Sequence, residues 1–152
     1  MAHLLFIPNK ENSKGALCHI AADDTKKTQL AVNEASFKVL TCTTDEFNKI
    51  RHNEADVTYS GNTITVTDIN TASDWTYVEN AEGLQSVIDI QIDACEKFLN
   101  SFPNHAWAAD VTTYRNYCTS FDTSSITYPM TKTWERHLTD SGVSFFSVLE
   151  LK

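Results

Sequence analysis

Chemistry needs particular side chains within reach of one another, and this chain offers few such sets. Cys18 and His19 adjoin, but neighbours on a strand point to opposite faces, which works against a thiol–imidazole pair. Cys42 and His52 are better spaced, because a helix between them could fold one back toward the other. Thiolate catalysis would also need a group to orient the imidazole, and no local signature supplies one. A core thiol and a surface histidine are the plainer reading. The five histidines, His3, His19, His52, His105 and His137, show no C-x-x-C, H-x-x-x-H or H-E-x-x-H spacing, so no zinc site is expected. Glu135 and His137 stand two apart and diverge around a helix. Asp23 with Asp24, and Asp89 with Asp93, lack the alternating pattern of a calcium loop. With 4 glycines in all, neither a phosphate loop nor a dinucleotide fingerprint is present. The sequence therefore predicts no catalytic residue, no cofactor and no metal: a protein that is not an enzyme and has no small-molecule substrate.

Charge narrows the partners further. The 152 residues carry a formal net charge of −8 and a pI near 4.9, the wrong sign for gripping phosphate, so no nucleic-acid partner is expected. Lys26 and Lys27 follow Asp23 and Asp24; the group is locally neutral and reads as a solvated turn. No apolar run approaches the ~20 residues that span a bilayer. The apolar start is confined to residues 4–7 and lacks a basic flank, so no secretory leader is expected either. Cys18, Cys42, Cys95 and Cys118 are scattered and read as reduced thiols. A Cys95–Cys118 disulfide is geometrically conceivable between antiparallel helices.

The strongest architectural signal lies in residues 84–121. Leu84, Ile88, Ile92, Cys95, Leu99 and Phe102 recur at alternating spacings of three and four, and Trp107, Val111, Tyr114, Cys118 and Phe121 do the same. Each series gives one helix an apolar stripe. The short joint at Pro103 and Asn104 makes the two helices antiparallel neighbours. The first half reads as strands over residues 3–7, 17–22, 29–33 and 37–42. A hairpin joins residues 57–60 to 63–67 through Gly61 and Asn62, the order of a type II′ turn. A short helix over residues 43–52, capped by Thr44, lies among them. Residues 70–83 form the boundary, with Trp75, Tyr77 and Val78 as its apolar members. Beyond Phe121 a turn leads to an extended stretch before Pro129. A short helix over residues 131–138, capped by Thr131 or Thr133, follows; Gly142 stops it and residues 143–151 form an apolar extended arm.

The positive functional signal is aromatic. Trp107, Tyr128, Trp134, Phe145, Phe146 and Leu149 are the interface candidates. Phe145 and Phe146 are adjacent, so on an extended arm both are buried only if the arm is covered on both sides, by this chain or by a partner.

Three stretches also carry a resemblance. Residues 98–105 (Phe-Leu-Asn-Ser-Phe-Pro-Asn-His), 125–138 (Ser-Ile-Thr-Tyr-Pro-Met-Thr-Lys-Thr-Trp-Glu-Arg-His-Leu) and 145–151 (Phe-Phe-Ser-Val-Leu-Glu-Leu) resemble the ends of small structural proteins of tailed marine bacteriophages. The resemblance spans residues 84–152 and transfers no catalytic residue. It implies a virion component of the tail, baseplate or neck, made in the host cytoplasm and bound to other virion proteins, with homo-oligomers expected. Two alternatives stand beside it, a small phage-encoded regulator binding a host factor and a Cys42/His52 enzyme. The fold expected is α+β. It comprises a mostly antiparallel β-rich segment with one short helix over residues 1–79, an αα-hairpin over 80–122, and a short helix with the terminal arm over 123–152.

Overall fold

The computed structural model describes residues 1–30, 34–69 and 78–152. The chain is α+β, and it divides into two units: Met1–Ile69 together with Lys152, and Asn70–Leu151.

In the first unit, β1 (Ala2–Phe6) lies between β2 (Leu17–Ala21) and β3 (Lys38–Cys42), antiparallel to both. All five residues of β1 are buried, as expected of a central strand covered on both faces. Leu4 pairs with Ile20 on one side and Leu40 on the other, giving an apolar row across the sheet. Helix α1 (Asp24–Gln29) packs on β1 and β2, while α2 (Thr44–Arg51) packs on β1 and β4 (Ala55–Ser60). The hairpin of β4 and β5 (Thr63–Asp68) is a second, two-stranded sheet rather than an extension of the first. Its Tyr59 is the pin of this unit. The ring lies 4.8 Å from that of Phe6. The hydroxyl donates to the Ile7 carbonyl at 2.8 Å and accepts from the Lys10 amide at 3.2 Å, satisfying the loop that leaves β1.

Several local expectations change. Asp23 and Asp24 do not make a turn: the Asp23 carboxylate accepts from the Lys26 amide at 2.7 Å and caps α1. Six residues are too short to show an apolar period, which is why the pattern hid this helix. Gln29 ends α1 instead of opening a strand, and residues 31–33 of that predicted strand lie outside the described residues. So do Trp75 and Tyr77. The cap of α2 is Thr43, one residue before the expected Thr44. Its hydroxyl accepts from the Glu46 amide at 3.2 Å while the Glu46 carboxylate accepts from the Thr43 amide at 2.9 Å, a reciprocal pair that Thr44 could not make with Glu46 only two residues on.

The second unit is built on α3 (Ala81–Ser101) and α4 (Ala108–Ser120), packed against each other. Asn80 caps α3 by accepting from the Gly83 amide at 2.9 Å. The buried line of α3 is Leu84, Ile88, Gln91, Cys95 and Phe98, a strict alternation of four and three. Gln91 and Phe98 thus take the places expected of Ile92, Leu99 and Phe102, which are only half-buried. On α4, Val111, Tyr114 and Cys118 are buried as expected, below a buried Trp107 at the N-cap. Its wet face is threonine- and serine-rich; Thr112, Thr113, Thr119 and Ser120 return their hydroxyls to carbonyls four residues back at 2.8–3.1 Å, so these short polar side chains do not unravel the helix. Helix α5 (Trp134–Asp140) is capped by Thr133. The terminal segment is not extended throughout: α6 (Val148–Leu151) is a helical turn. Ser147 and Glu150 make a capping box there, with the Ser147 amide donating to the Glu150 carboxylate at 2.7 Å and the Glu150 amide to the Ser147 hydroxyl at 3.3 Å. The Ser-x-x-Glu spacing was the available signal.

Candidate functional site

Cys42, at the end of β3, is a buried free thiol. Burial, helped by the nearby Glu46 carboxylate, pushes it up to about 11, so at neutral pH it carries its proton and is a poor nucleophile. His52 is buried at the C-cap of α2, with Nδ1 3.9 Å from Glu54 Oε1. In β2, His19 is buried against the edge of Phe37, with ring centroids 5.3 Å apart, while Cys18 is half-buried. His3 Nε2 donates to Asp24 Oδ1 at 2.5 Å, and this bond holds the exposed Asp24 carboxyl below its usual range. It ties β1 to α1. Among the described residues, no three His, Cys, Asp or Glu side chains gather as a metal site would require.

The six interface candidates divide. Trp107, Trp134 and Phe145 are each at most 4% exposed, and their partners lie within the second unit. Trp107 stacks between Phe98 and Phe146 at centroid distances of 6.0 and 5.7 Å. Trp134 meets the edge of Phe121 at 4.9 Å, and Phe145 lies 6.3 Å from Tyr114. These three are internal packing, a correction to their reading as partner-facing: a ring sealed in its own core cannot also seal a partner. Tyr128, Phe146 and Leu149 remain half-buried. Tyr128 is anchored by its hydroxyl, which donates to the Thr123 carbonyl at 2.7 Å.

Two features escaped the sequence reading. The first is a buried polar chain: Trp134 Nε1 donates to Tyr114 Oη at 3.1 Å, and Tyr114 Oη donates to Gln91 Oε1 at 3.1 Å. It joins α5, α4 and α3 through one oxygen. Burial drives the Tyr114 phenol strongly upward, so the hydroxyl keeps the proton it donates. The same seam encloses Cys95, raised to about 12 first by burial and then by neighbouring Cys118, and Cys118 itself, raised to about 11 by burial. The second is Ile90, which is 58% exposed on α3 and, with Met1, one of two large apolar side chains so exposed among the described residues. Its sequence signal was a second apolar spacing, Val87, Ile90 and Ala94, outside the main stripe.

An open cleft of about 290 Å³ in the second unit is lined by Ser125, Ile126, Thr127, Met130, Thr131, Lys132 and His137. Its ammonium is already held by Asp140, 2.6 Å from Lys132 Nζ. Burial and Lys132 lower the His137 imidazole below its usual range, which favours its neutral form. The cleft thus offers hydroxyls for hydrogen bonding and little net positive charge.

Charge is distributed unequally. The second unit has eleven carboxylates against four Lys and Arg side chains, a formal −7 of the total −8. No helix among the described residues is long and apolar enough to cross a membrane. Compared with family profiles, with curated proteins and with solved structures, the chain matches none.

Proposed function

We propose that this protein is a non-enzymatic structural component of a tailed-phage particle, in its tail, baseplate or neck, working through contacts with other virion proteins. The observation that carries the reading is Phe146. It is half-buried, and its ring is stacked on the buried Trp107 ring. A ring fixed in place and partly open loses little freedom when a partner covers it, which is how aromatic anchors dominate protein contacts. Tyr128 and Leu149, also half-buried, belong to the same unit. The resemblance of residues 84–152 to small virion proteins supports the particle as the place where such contacts are made, and the raised thiols favour packing over nucleophilic chemistry.

Mass spectrometry of purified particles tests this directly. The chain is expected at fixed stoichiometry, and Phe146→Ser is expected to fold while incorporation falls. A chain absent from particles would overturn the virion role and favour a regulator that uses the same ring on a host factor.

A further inference from the structure

The β4–β5 hairpin ends in a strand edge that nothing among the described residues completes. Its cross-strand pairs alternate between those that exchange both backbone bonds and those that exchange none. The Ile69 amide donates to the Glu54 carbonyl at 2.9 Å, one step beyond the Ala55–Asp68 pair, and the Tyr59 carbonyl turns away from β5 to accept from the Asn12 amide at 2.9 Å. Ser60–Thr63, Thr58–Thr65 and Asp56–Thr67 are therefore the bonded pairs, and Ile64, Val66 and Asp68 turn their amides and carbonyls outward. No group among the described residues meets the outward amides and carbonyls of Ile64 and Val66. Strand β3 belongs to the other sheet, and it reaches the hairpin through a bond from Lys38 Nζ to the Asn62 side chain in the turn, at 2.7 Å. The side chains are equally incomplete. On the inward face Val57 and Tyr59 of β4 are buried, but Val66 and Ile64 opposite them are only half-buried. Sheets commonly guard such an edge with proline, lysine or a bulge. Strand β5 has none of these: it reads Thr-Ile-Thr-Val-Thr-Asp in unbroken register with β4, and its single charge, Asp68, stands at the end, 2.9 Å from Lys49.

We infer that β5 pairs with β5 of a second copy of this chain, antiparallel about a twofold axis at Thr65, so that the two hairpins form one continuous sheet. Outward groups meet outward groups only in every second register. One of these sets Ile64 against Val66 of the partner subunit, and Val66 against the partner's Ile64, so that both half-open apolar side chains gain a β-branched neighbour. It puts Thr65 against the partner's Thr65 and Thr63 against the partner's Thr67, pairs that suit a sheet face. It also sets Asp68 against the partner's Asn62, the residue that the Lys38 ammonium holds within each chain, so opposite charges meet and like charges do not. Sliding by two residues breaks the match: either Val66 faces the partner's Asn62 or Asp68 faces the partner's Ile64. Any extended strand could satisfy the backbone, and this agreement of side chains and charge is what selects a second copy. The first unit has nine carboxylates against eight Lys and Arg side chains, a formal −1, so its charge does not oppose the pairing. A strand of six residues makes a small interface, and the dimer should dissociate on dilution. The inference concerns the first unit and does not depend on the virion reading.

Sedimentation velocity of the full chain over a concentration series, beside its Thr65→Cys and Thr58→Cys variants, tests this. Expected are a dimer that dissociates on dilution and, under oxidised glutathione, a covalent dimer of Thr65→Cys alone. Residues opposed in a non-bonded antiparallel pair bring their β-carbons close enough for a disulfide. Thr58 lies on the same face but in β4, so two further strands would separate it from its counterpart. Val66→Pro removes an outward amide that β4 does not use. It should weaken the dimer about tenfold and leave the far-UV circular dichroism unchanged. Should that variant fail to fold, Thr65→Lys, at an exposed position, serves in its place by setting two ammonium groups face to face. A chain monomeric at every concentration, equal cross-linking of both cysteine variants, or a dimer that survives in the folded Val66→Pro or Thr65→Lys variant would each overturn the inference. Particle incorporation separates the two proposals. A dimeric chain absent from particles removes the virion role alone. A monomeric chain present in particles at fixed stoichiometry removes the β5 pairing alone.

Discussion

The Tyr114 hydroxyl links the buried polar groups of three helices in the second unit. It accepts from Trp134 and donates to Gln91, so each of three buried groups is satisfied only while the other two stay in place. Tyr114→Phe keeps the ring's volume but strands an indole N–H and an amide oxygen. At roughly 1–3 kcal/mol for a buried polar group left unpaired, the variant should lose about 2–3 kcal/mol. Urea unfolding followed by far-UV circular dichroism would show this as a lower midpoint. An unchanged midpoint would mean that the chain does not lock the three helices. Gln91 also illustrates how much of the site was legible: an isolated glutamine between Ile90 and Ile92 reads as surface, and only the position of Tyr114 across the seam makes it core. Trp107, Trp134 and Phe145 err in the other direction, since aromatic content alone cannot say whether a ring serves its own core or a neighbour's.

At the scale of elements, short-range chemistry explains nearly every boundary. The β4–β5 hairpin turns at Gly61, whose φ is +58°, and pairs Ser60 with Thr63. A β-carbon at Gly61 would meet nothing within 4 Å, so any cost of replacing it is conformational. Gly61→Ala should therefore destabilise the first unit by about 1–2 kcal/mol, the penalty of a left-handed φ for an L side chain. Gly15→Ala, at a position equally open and without positive φ, is the matched control and should be near neutral. Thermal unfolding of both variants decides it; equal shifts would show that the turn is not under backbone strain. The reciprocal caps at Thr43 with Glu46 and Ser147 with Glu150 were open to reading from residues three apart, although the expectation fell on Thr44 and on an extended arm over residues 143–151. The split of the strands into two sheets was not, since it depends on which edges meet.

For the whole molecule, the shared property is a set of thiols kept away from water in both units. Cys42 in one, and Cys95 and Cys118 in the other, are raised from 9.0 to about 11, 12 and 11. A group whose pKa is higher in the folded chain than in the unfolded one stabilises the fold below the unfolded value. That contribution is lost as pH climbs toward the folded value. The thiol contribution should accordingly be flat below pH 9 and fall above it, by about 1.4 kcal/mol per pH unit for each thiol that ionises only on unfolding. Urea midpoints at about pH 8 and about pH 10.5 would reveal the loss, and Cys95→Ala should remove part of it. Thiolate absorbance rising near pH 9 in a folded Cys18→Ser variant, where only the three buried thiols remain, would contradict the burial argument.

By itself the sequence determined the class of fold, the helix pair with its α4 seam, the hairpin turn and the acidic balance. These are set by periods of 3.6 and 2, by caps three residues long and by side-chain charge, all of which act over a few neighbouring positions. Only the tertiary structure decided that the three aromatic anchors Trp107, Trp134 and Phe145 face inward, that Gln91 is core, and that Ile90 is left in the open. Burial is settled by which surfaces meet across long stretches of chain. A helix with apolar residues on more than one face does not state in advance which of them will be covered.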